Sequence, residues 1–446
     1  MTAREVALRV VRDVFPPPGG TAVERGAQAS LDYRVREARL SERDRAFAAE
    51  LAYGAIKMRR ALDWYLDPFI GGRQGDSTPL GSTGAIRELL RLAAYELIYT
   101  RAEAYATVSE FVNLAKRYGH RGLANLTNAV LRGFLRDRTG DPQRELFDDE
   151  DEYLGTRYSL PTWLVRQWRL VFDGKVEAIC AGVNDPAQGA IVVNALKMSP
   201  PEAIEALRSA GIEASPSDFV AEALLVPRGS ARPPAGGAWW VQSESSAMVV
   251  DVLGPQPGEA VLDVGSGRGN KALQIGARLA GEGMLLCIER DARKAATLGR
   301  RLEEAGVAAG IVIGDATHEV LRADQRFDRI LIDAPCSGLG VAGRHPEARW
   351  KKQAADGERL ALTQQALLEQ MARHVYPGGA LVYAVCSTDP RETTEVVDWF
   401  LARHDFDRGL IPAAYGSLLT GAGDVLVPPG IGGRDGFYIA RVERRS

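Results

Sequence analysis

Two cysteines and an aspartate have the residue types and the spacing for covalent chemistry. Asp333 and Cys336 follow the apolar run 330–332, and Cys386 directly follows the apolar run 380–385. Each run is typical of a short buried strand, and open α/β sheets bind ligands just outside the carboxyl ends of their strands. A single cysteine after such a run is more often core packing. Two of them, with an acid beside one, indicate nucleophilic catalysis.

Glycines and acids follow three further predicted strands. The strands are 260–264, 284–288 and 310–313, and the residues after them are Gly265 with Gly267, Glu289, and Asp315, respectively. Glycines let the backbone approach a ligand closely, and an acid at a strand end can accept both ribose hydroxyls. The Gly-x-Gly-x-Gly spacing differs from the Gly-x-Gly-x-x-Gly of dinucleotide sites. The pattern therefore predicts an adenosine-containing ligand and favours S-adenosylmethionine over NAD.

The elements that position these residues form the last of several domains. A chain of 446 residues exceeds what one core normally supports. We predict an all-α bundle over 1–138, an acidic linker over 139–153, a small α+β segment over 154–236 and an α/β domain over 237–446. Strands and helices alternate in the last part, which predicts a mainly parallel, doubly wound sheet. Proline- and glycine-rich sequence at 227–237 marks the boundary before it.

Charge and cysteine usage limit the class of protein. Residues 1–136 carry 21 lysines and arginines against 15 acids, a net charge of +6. Such a surface either attracts RNA through its phosphates or is a solvated helical surface, and charge alone leaves both open. Four cysteines without paired spacing favour neither a disulfide framework nor a metal site. With no apolar signal segment or membrane span, we expect a cytoplasmic protein that does not contact the membrane.

The motifs around the two cysteines resemble those of a known family. Asp-Ala-Pro-Cys-Ser-Gly at 333–338, Val-Cys-Ser at 385–387 and Gly-Asp-Ala at 314–316 resemble the NOL/NOP/Sun family of RNA cytosine-C5 methyltransferases. Arg344-His345-Pro346-Glu347 and Asp435-Gly436-Phe437-Tyr438 match it further. The stretches 40–45 and 127–132 resemble a NusB-like RNA-binding domain. This domain combination resembles bacterial small-subunit rRNA methyltransferases.

The resemblance implies a fold, a reaction and a set of site residues. It implies a NusB-like bundle and a Rossmann-like class I methyltransferase domain. It also implies S-adenosylmethionine as cofactor and RNA, 16S rRNA in particular, as substrate. We expect the enzyme to be a monomer. Cys386 would be the nucleophile and Cys336 would assist elimination, while Asp333 would bind the base and Lys271 would tune a thiol or contact the base. The predicted cofactor site comprises Asp263, Gly265, Ser266, Gly267, Gly269, Lys271, Glu289, Arg293, Asp315, Ala316 and Asp333.

The sequence departs from the family pattern at several positions. Gly-Ser-Gly-Arg-Gly-Asn-Lys at 265–271 stands where the family usually has Cys-Ala-Ala-Pro-Gly-Gly-Lys. Val385 replaces a usual threonine, Thr393-Thr394 replace Asn-Glu, and Val192 replaces an arginine. These changes affect the cofactor loop and the RNA contacts more than the reaction.

Two other classes of protein remain as alternatives. One is a non-catalytic RNA-binding or assembly factor with a decayed methyltransferase domain, which the joint presence of Asp333, Cys336 and Cys386 disfavours. The other is a Rossmann-type oxidoreductase, which the glycine spacing and the paired cysteines disfavour.

Overall fold

The chain divides into two compact units. The computed structural model describes residues 1–16, 25–70, 84–118, 121–138, 140–227 and 237–446. One unit comprises residues 1–166 with 345–351, and the other comprises 167–344 with 352–446. Most of the predicted proline- and glycine-rich boundary at 227–237 lies outside the described residues. No helix in the described ranges is both long and apolar enough to cross a membrane.

The first unit is helical, as its apolar periodicity predicts. Its helices are α1 (Ala3–Val14), α2 (Ala27–Ala38), α3 (Glu42–Lys57), α4 (Arg59–Ile70), α5 (Gly84–Tyr99), α6 (Ala104–Tyr118), α7 (Arg121–Asp137) and α8 (Glu150–Arg157). Val6, Val10 and Val14 of α1 are buried in the bundle core. Ser41 caps α3 as predicted, because its hydroxyl accepts from the Asp44 amide at 3.1 Å.

The acidic run contributes to helix α8. Asp149 caps that helix, and its side chain accepts from the backbone amides of Asp151 and Glu152. Three acids occupy the first turn, where the partial positive charge of the helix N-terminus favours them. Helix α9 (Thr162–Phe172) follows, and the division between the two units falls within it.

A small α+β layer opens the second unit. After α10 (Val176–Gly182) come β1 (Gly189–Val193), α11 (Pro200–Ser209), β2 (Ser215–Pro216), β3 (Ala223–Val226) and β4 (Trp239–Val241). The strands form an antiparallel sheet in the order β2-β3-β1-β4. Its core includes Ile191, Leu207 and Leu224.

The second layer of this unit is a large mixed sheet. Its elements are α12 (Glu244–Leu253), β5 (Ala260–Val264), α13 (Asn270–Arg278), β6 (Met284–Glu289), α14 (Ala292–Ala305), β7 (Gly310–Ile313), β8 (Phe327–Asp333), α15 (Ala348–Lys351), α16 (Asp356–Ala372), β9 (Val375–Val385), α17 (Thr394–Leu401), β10 (Phe406–Arg408), β11 (Val425–Val427) and β12 (Phe437–Arg444). The exception is α15, whose residues cluster with the helical unit. The strand order is β10-β12-β9-β8-β5-β6-β7, with β11 paired to β12.

The central strands are buried on both faces. Leu331 packs into one core and Ile330 and Ile332 into another, on opposite faces of β8. This double burial explains why the strand is a continuous apolar run rather than an alternating one. Strands β5 to β9 are parallel, and β12 and β10 add antiparallel pairs at one end. The fold class predicted from the sequence is therefore confirmed.

Candidate active site

The sheet has a topological switch point at β5. Chain order runs from β5 outward through β6 and β7, and β8 then returns to pair with the other side of β5. Ligands bind at such a reversal, outside the carboxyl ends of the strands. Asp333 ends β8, Cys386 directly follows β9, and the glycine turn follows β5. The predicted site residues therefore follow neighbouring parallel strands at one edge of the sheet.

The glycine turn passes very close to the end of β8. Gly265 has a φ of +78°, and a Cβ there would lie 2.5 Å from the carbonyl oxygen of Asp333. Gly267 and Gly269 also have positive φ values, of 59° and 91°. A side chain is strained in this region of backbone space, so all three positions favour glycine. Ser266 ties the turn to its own strand, since its hydroxyl donates to the Asp263 carbonyl at 2.8 Å.

Glu289 supports the glycine turn. One carboxylate oxygen accepts from the Gly267 amide and the other from the Asp291 amide, each at 2.8 Å. Each oxygen keeps a second lone pair, so the carboxylate retains acceptor capacity for a ribose. Glu289 itself is buried. Glu289 was predicted to bind a ribose. The structure gives it a second role, because it also holds the glycine turn in place.

The remaining predicted cofactor residues lie further along the same edge. Asp315 is exposed, and two hydrogen bonds from Thr317, of 2.7 and 3.0 Å, lower the pKa of its carboxyl group. Ala316 beside it is buried in the core. Arg293 lies in the exposed first turn of α14. These three residues line the edge after β6 and β7.

A buried group of charges lies at the switch point itself. Lys271 Nζ donates to Asp333 Oδ2 at 2.7 Å and lies 5.6 Å from the centre of the Phe437 ring. Burial lowers the pKa of Lys271, but the charge and hydrogen bond of Asp333 outweigh it, so the net pKa is raised. Lys271 therefore stays protonated and balances Asp333.

Asp263 is a fully buried acid whose carboxyl oxygens receive no hydrogen bond from any described residue. Burial, and next the charge of Asp333, raise the pKa of Asp263 to about 7. A buried polar group in this state is costly unless a ligand supplies the missing partner.

The chemistry of the site fits S-adenosylmethionine. That cofactor carries an ammonium group and a cationic sulfur, and the orphaned Asp263 carboxyl group provides the opposite charge. The glycine turn leaves room for close backbone approach, because a Cβ at Gly267 would meet only the Gly265 carbonyl oxygen, at 3.8 Å. When bound, the cofactor supplies an electrophilic methyl group. No cluster of three or more metal-ligating side chains occurs within the described ranges.

The two cysteines form a close pair. Cys336 Sγ and Cys386 Sγ are 3.3 Å apart although 50 positions separate them in the chain. The hydrogen bond to Cys386 and burial, followed by the charges of Cys386 and Glu392, raise the pKa of Cys336 well above its usual value. The charge of Cys386 in turn contributes to the raised pKa of Lys271. Cys336 is therefore held as a thiol, and Cys386 is the sulfur with a cation near it.

Close backbone packing holds the turn after β9. The Gly340 amide donates to the Cys386 carbonyl at 3.0 Å, and the Gly436 amide donates to the Gly340 carbonyl at 2.8 Å. A Cβ at Gly340 would lie 2.1 Å from the Gly436 carbonyl oxygen, so only glycine fits. Arg344 donates to both carboxylate oxygens of Asp435 at 2.9 Å. The sequence motifs 344–347 and 435–438 thus pack together beside the turn that carries Cys386.

Sequence reasoning missed one group at the site, Glu392. This fully buried carboxylate accepts hydrogen bonds from Ser337 and Ser387, the residues that directly follow the two cysteines. The Cys-Ser pair that follows both β8 and β9 was the available signal, because buried serine hydroxyls need hydrogen-bond partners.

The fold, the switch-point glycine turn and the fit of the site to the cofactor define a Rossmann-like, S-adenosylmethionine-dependent methyltransferase. Comparison with family models gives a match to the 16S rRNA methyltransferase RsmB/F over residues 250–443. The NusB family matches residues 1–136, and the RsmF/B-like ferredoxin-like domain matches residues 160–231. The chain is 31% identical over 432 residues to the probable ribosomal RNA small subunit methyltransferase B of Bacillus subtilis, covering 92% of this chain and 93% of the relative. The chain belongs to this RsmB/F family of rRNA methyltransferases.

Other relatives agree with this membership. The ribosomal RNA small subunit methyltransferase B of Yersinia enterocolitica is 31% identical over 412 residues, covering 91% of this chain and 92% of its own. Among solved structures, PH0851 superposes with a TM-score of 0.79 at 22% identity, over 100% of this chain and 99% of that one. NSun6 from Pyrococcus horikoshii, solved with SFG, an analogue of S-adenosylmethionine, gives a TM-score of 0.56 at 18% identity, over 64% and 98% of the two chains. The two structures show the shared fold.

Proposed function

We propose that this enzyme transfers a methyl group from S-adenosylmethionine to C5 of a cytosine in RNA, 16S rRNA in particular, through a covalent adduct with Cys386. The observation that carries the proposal is the 3.3 Å approach of Cys386 and Cys336 beside the Lys271–Asp333 ion pair. The names of the similar proteins, which are small-subunit rRNA methyltransferases, support the substrate class.

The reaction needs a nucleophile because C5 of cytosine is itself a weak one. The Cys386 thiolate adds to C6, which breaks the conjugation of the ring and makes C5 enamine-like. C5 then takes the methyl group. The protonated Lys271 places a positive charge close enough to interact with Cys386.

Asp333 is the group that we assign to the cytosine edge. Its carboxyl group is about one third exposed, so while Lys271 holds one oxygen the other can accept a hydrogen bond from the exocyclic amine. The hydrogen bond to N3 needs a proton, carried either by the carboxyl group or by N3 itself as the adduct forms. Hydrogen bonding at N3 stabilises the charge that builds up as the adduct forms.

Elimination restores the free enzyme, and we assign it to Cys336. The C5 proton passes to the sulfur of Cys336, whose own proton passes to the departing sulfur of Cys386 as the Cys386–C6 bond breaks. Each sulfur ends as a thiol and the C5–C6 double bond returns. The proton gained from C5 leaves to solvent when Cys386 ionises again for the next turnover, so the protons balance. The 3.3 Å separation allows the direct transfer between the sulfurs.

The helical unit, in our proposal, provides RNA affinity. Residues 1–138 would form the RNA-binding domain, 139–153 a linker, 154–236 the segment before the catalytic domain, and 237–446 the catalytic domain. The net charge of +6 over residues 1–136 supports phosphate contacts. The target base must leave its stack to reach the cysteines, which costs least in a loop or single strand. We expect the enzyme to act as a monomer in the cytoplasm.

Bisulfite sequencing tests the proposed function. The rRNA and tRNA of cells with the natural protein, without it, and with Cys386→Ala are compared. One cytosine of 16S rRNA should resist bisulfite conversion only in the cells that contain the natural protein. Adenosylmethionine binding with no methylated cytosine in any RNA would instead support a binding or assembly factor.

A further inference from the structure

Glu392 joins the two cysteine turns through buried hydrogen bonds. Ser337 donates to it from its backbone amide at 2.8 Å and from its hydroxyl at 2.5 Å. The Ser387 hydroxyl donates to the same carboxylate at 2.6 Å. Gln364 adds a longer hydrogen bond of 3.2 Å. One carboxylate therefore holds the residue after each cysteine.

The carboxylate is anchored to the strand that ends at Cys386. Tyr383 donates from its hydroxyl to the Glu392 carbonyl at 2.6 Å. The Thr393 hydroxyl donates to the Asp389 carbonyl at 2.8 Å, which closes the turn that carries Glu392. Because the anchor belongs to β9, movement of the Ser337 turn relative to it would break both Ser337–Glu392 hydrogen bonds at once. Such a network fixes geometry more firmly than apolar packing does.

We propose that Glu392 is a positioning residue that clamps the two cysteine turns together, so that the sulfurs of Cys336 and Cys386 stay in proton-transfer contact while Cys336 remains the thiol. The inference rests on the proposed function for its catalytic meaning, but the clamp itself is a property of the folded protein.

The charge of Glu392 supports the second half of this proposal. The carboxylate is fully buried and forms no ion pair with any residue in the described ranges. Its uncompensated charge lies near Cys336 and contributes to the raised pKa of that thiol, after the hydrogen bond and charge of Cys386 and burial. A second anion at Cys336 is therefore disfavoured. Lys271, by contrast, places a positive charge near Cys386.

The clamp is testable without RNA. Diamide oxidises two adjacent thiols to a disulfide, and its rate reports how long the two sulfurs spend in contact. Glu392→Ala should slow the Cys336–Cys386 cross-link by about 10-fold or more, since small misplacements are costly for such reactions. Glu392→Gln, which keeps the shape and can still join both serines, should cross-link no more slowly than the natural protein. Asp424→Asn is the control for Glu392→Gln, because Asp424 is another buried acid, directly before β11, that accepts a hydrogen bond from Tyr438.

Charge and geometry are then separated by alkylation. Iodoacetamide labelling of each cysteine, measured against pH by mass spectrometry, should show Cys336 reacting at lower pH in Glu392→Gln than in the natural protein. Ser387→Ala removes one tie without leaving a large cavity, and should slow the cross-link less than Glu392→Ala does. If Glu392→Ala proves unfolded, Ser387→Ala and Glu392→Gln still decide the question.

Methyl transfer to RNA adds the catalytic readout. Glu392→Ala should lower kcat by about 100-fold with adenosylmethionine affinity unchanged, and Glu392→Gln should recover most of the rate. Equal cross-linking in Glu392→Ala and the natural protein, or equal slowing in Asp424→Asn, would overturn the clamp. If the natural protein methylates no RNA while the thiol assays behave as expected, the proposed function fails and the clamp stands.

Discussion

The two cysteines of the proposed mechanism follow neighbouring strands but have different surroundings. Cys386 interacts with the protonated Lys271, whereas Cys336 is near the buried Glu392. A thiolate is favoured by a nearby cation and a thiol by a nearby anion. This asymmetry supports Cys386 as the nucleophile and Cys336 as the proton carrier, the same order that the family resemblance implies.

Alanine substitutions separate these roles. Cys386→Ala should abolish methylation and any covalent RNA adduct, because no enamine forms without the thiolate. Cys336→Ala should allow attack and transfer but stall elimination, leaving a protein–RNA complex visible as a shifted band on a denaturing gel. Adduct accumulation in Cys386→Ala instead would reverse the assignment. If both variants keep methylation activity, the two cysteines have only a structural role.

Asp263 is expected to make the unliganded protein less stable as pH rises. Its folded pKa of about 7 lies above its ordinary value of 3.8. The unfolded chain therefore holds fewer protons than the folded one between these values, and stability falls as pH rises through that window. Asp263→Asn should thus raise the melting temperature more at pH 8 than at pH 5, while weakening adenosylmethionine binding. A melting-temperature gain that is the same at both pH values would contradict the burial of a titrating acid.

Glu289 should affect the cofactor site in two ways. Glu289→Ala removes the proposed ribose acceptor and also the acceptor of the Gly267 amide. Adenosylmethionine affinity should fall by about 1–3 kcal/mol, the cost of leaving polar partners unmatched. Glu289→Gln, which keeps one acceptor oxygen, should lose less. Calorimetry measures both, and unchanged affinity in Glu289→Ala would remove the residue from the site.

At the scale of elements, helices α6 and α7 form a basic surface cavity of about 420 Å³. Lys116 and Arg132 lie at its wall and hydrogen-bond to the neighbouring amides Asn113 and Asn128, at 3.4 and 3.0 Å, rather than to a described carboxylate. Tyr105, 82% exposed, presents an aromatic ring at the same place. Unpaired cations beside an exposed ring are what single-stranded RNA binding requires. We therefore expect this cavity to contribute to the proposed RNA binding of the helical unit.

Substitutions at this cavity test that role. Lys116→Ala and Arg132→Ala should each reduce the salt dependence of RNA binding, by about 0.7 in the slope of log K against log salt for each lost phosphate contact. Tyr105→Ala should cost about 1–3 kcal/mol through lost stacking. Arg136→Ala is the control, because Arg136 already pairs with Asp137 at 2.8 Å. If Lys116→Ala and Arg132→Ala keep the salt slope of Arg136→Ala, and Tyr105→Ala keeps the natural affinity, the RNA binds elsewhere.

At the scale of the whole molecule, the helical unit is not continuous in the chain. Residues 345–351, from the loop beyond Cys336, belong to it. Trp350 donates from its indole N–H to the Ile56 carbonyl at 2.7 Å, and Glu347 accepts from the Ala27 amide at 3.1 Å. These contacts satisfy unpaired groups at the last turn of α3 and the first turn of α2. A fragment that ends at residue 138 lacks these residues, and part of this unit's core would therefore be exposed to solvent.

Trp350→Ala should therefore destabilise the helical unit. The expected loss is about 2–3 kcal/mol, less than for a fully buried tryptophan because the ring is only partly buried. Faster hydrogen exchange of the amides in α3 should report it. Trp350→Phe, which keeps most of the packing but loses the indole donor, should cost about 1 kcal/mol. No change in the exchange of α3 in Trp350→Ala would refute the capping role.

Local sequence determined the elements and much of the site. Apolar periodicity predicted the helices, continuous apolar runs predicted the central strands, and strand-end residues indicated the cofactor and the cysteines. These features depend on neighbours a few positions apart, so they can be read along the chain.

Tertiary structure alone decided which distant residues meet. It brought two cysteines 50 positions apart to 3.3 Å, gave Glu289 two backbone donors, and placed Glu392 between two serines. It also assigned residues 345–351 to the helical unit. Strand order and burial produce these contacts, and both depend on the packing of the whole sheet rather than on any local pattern.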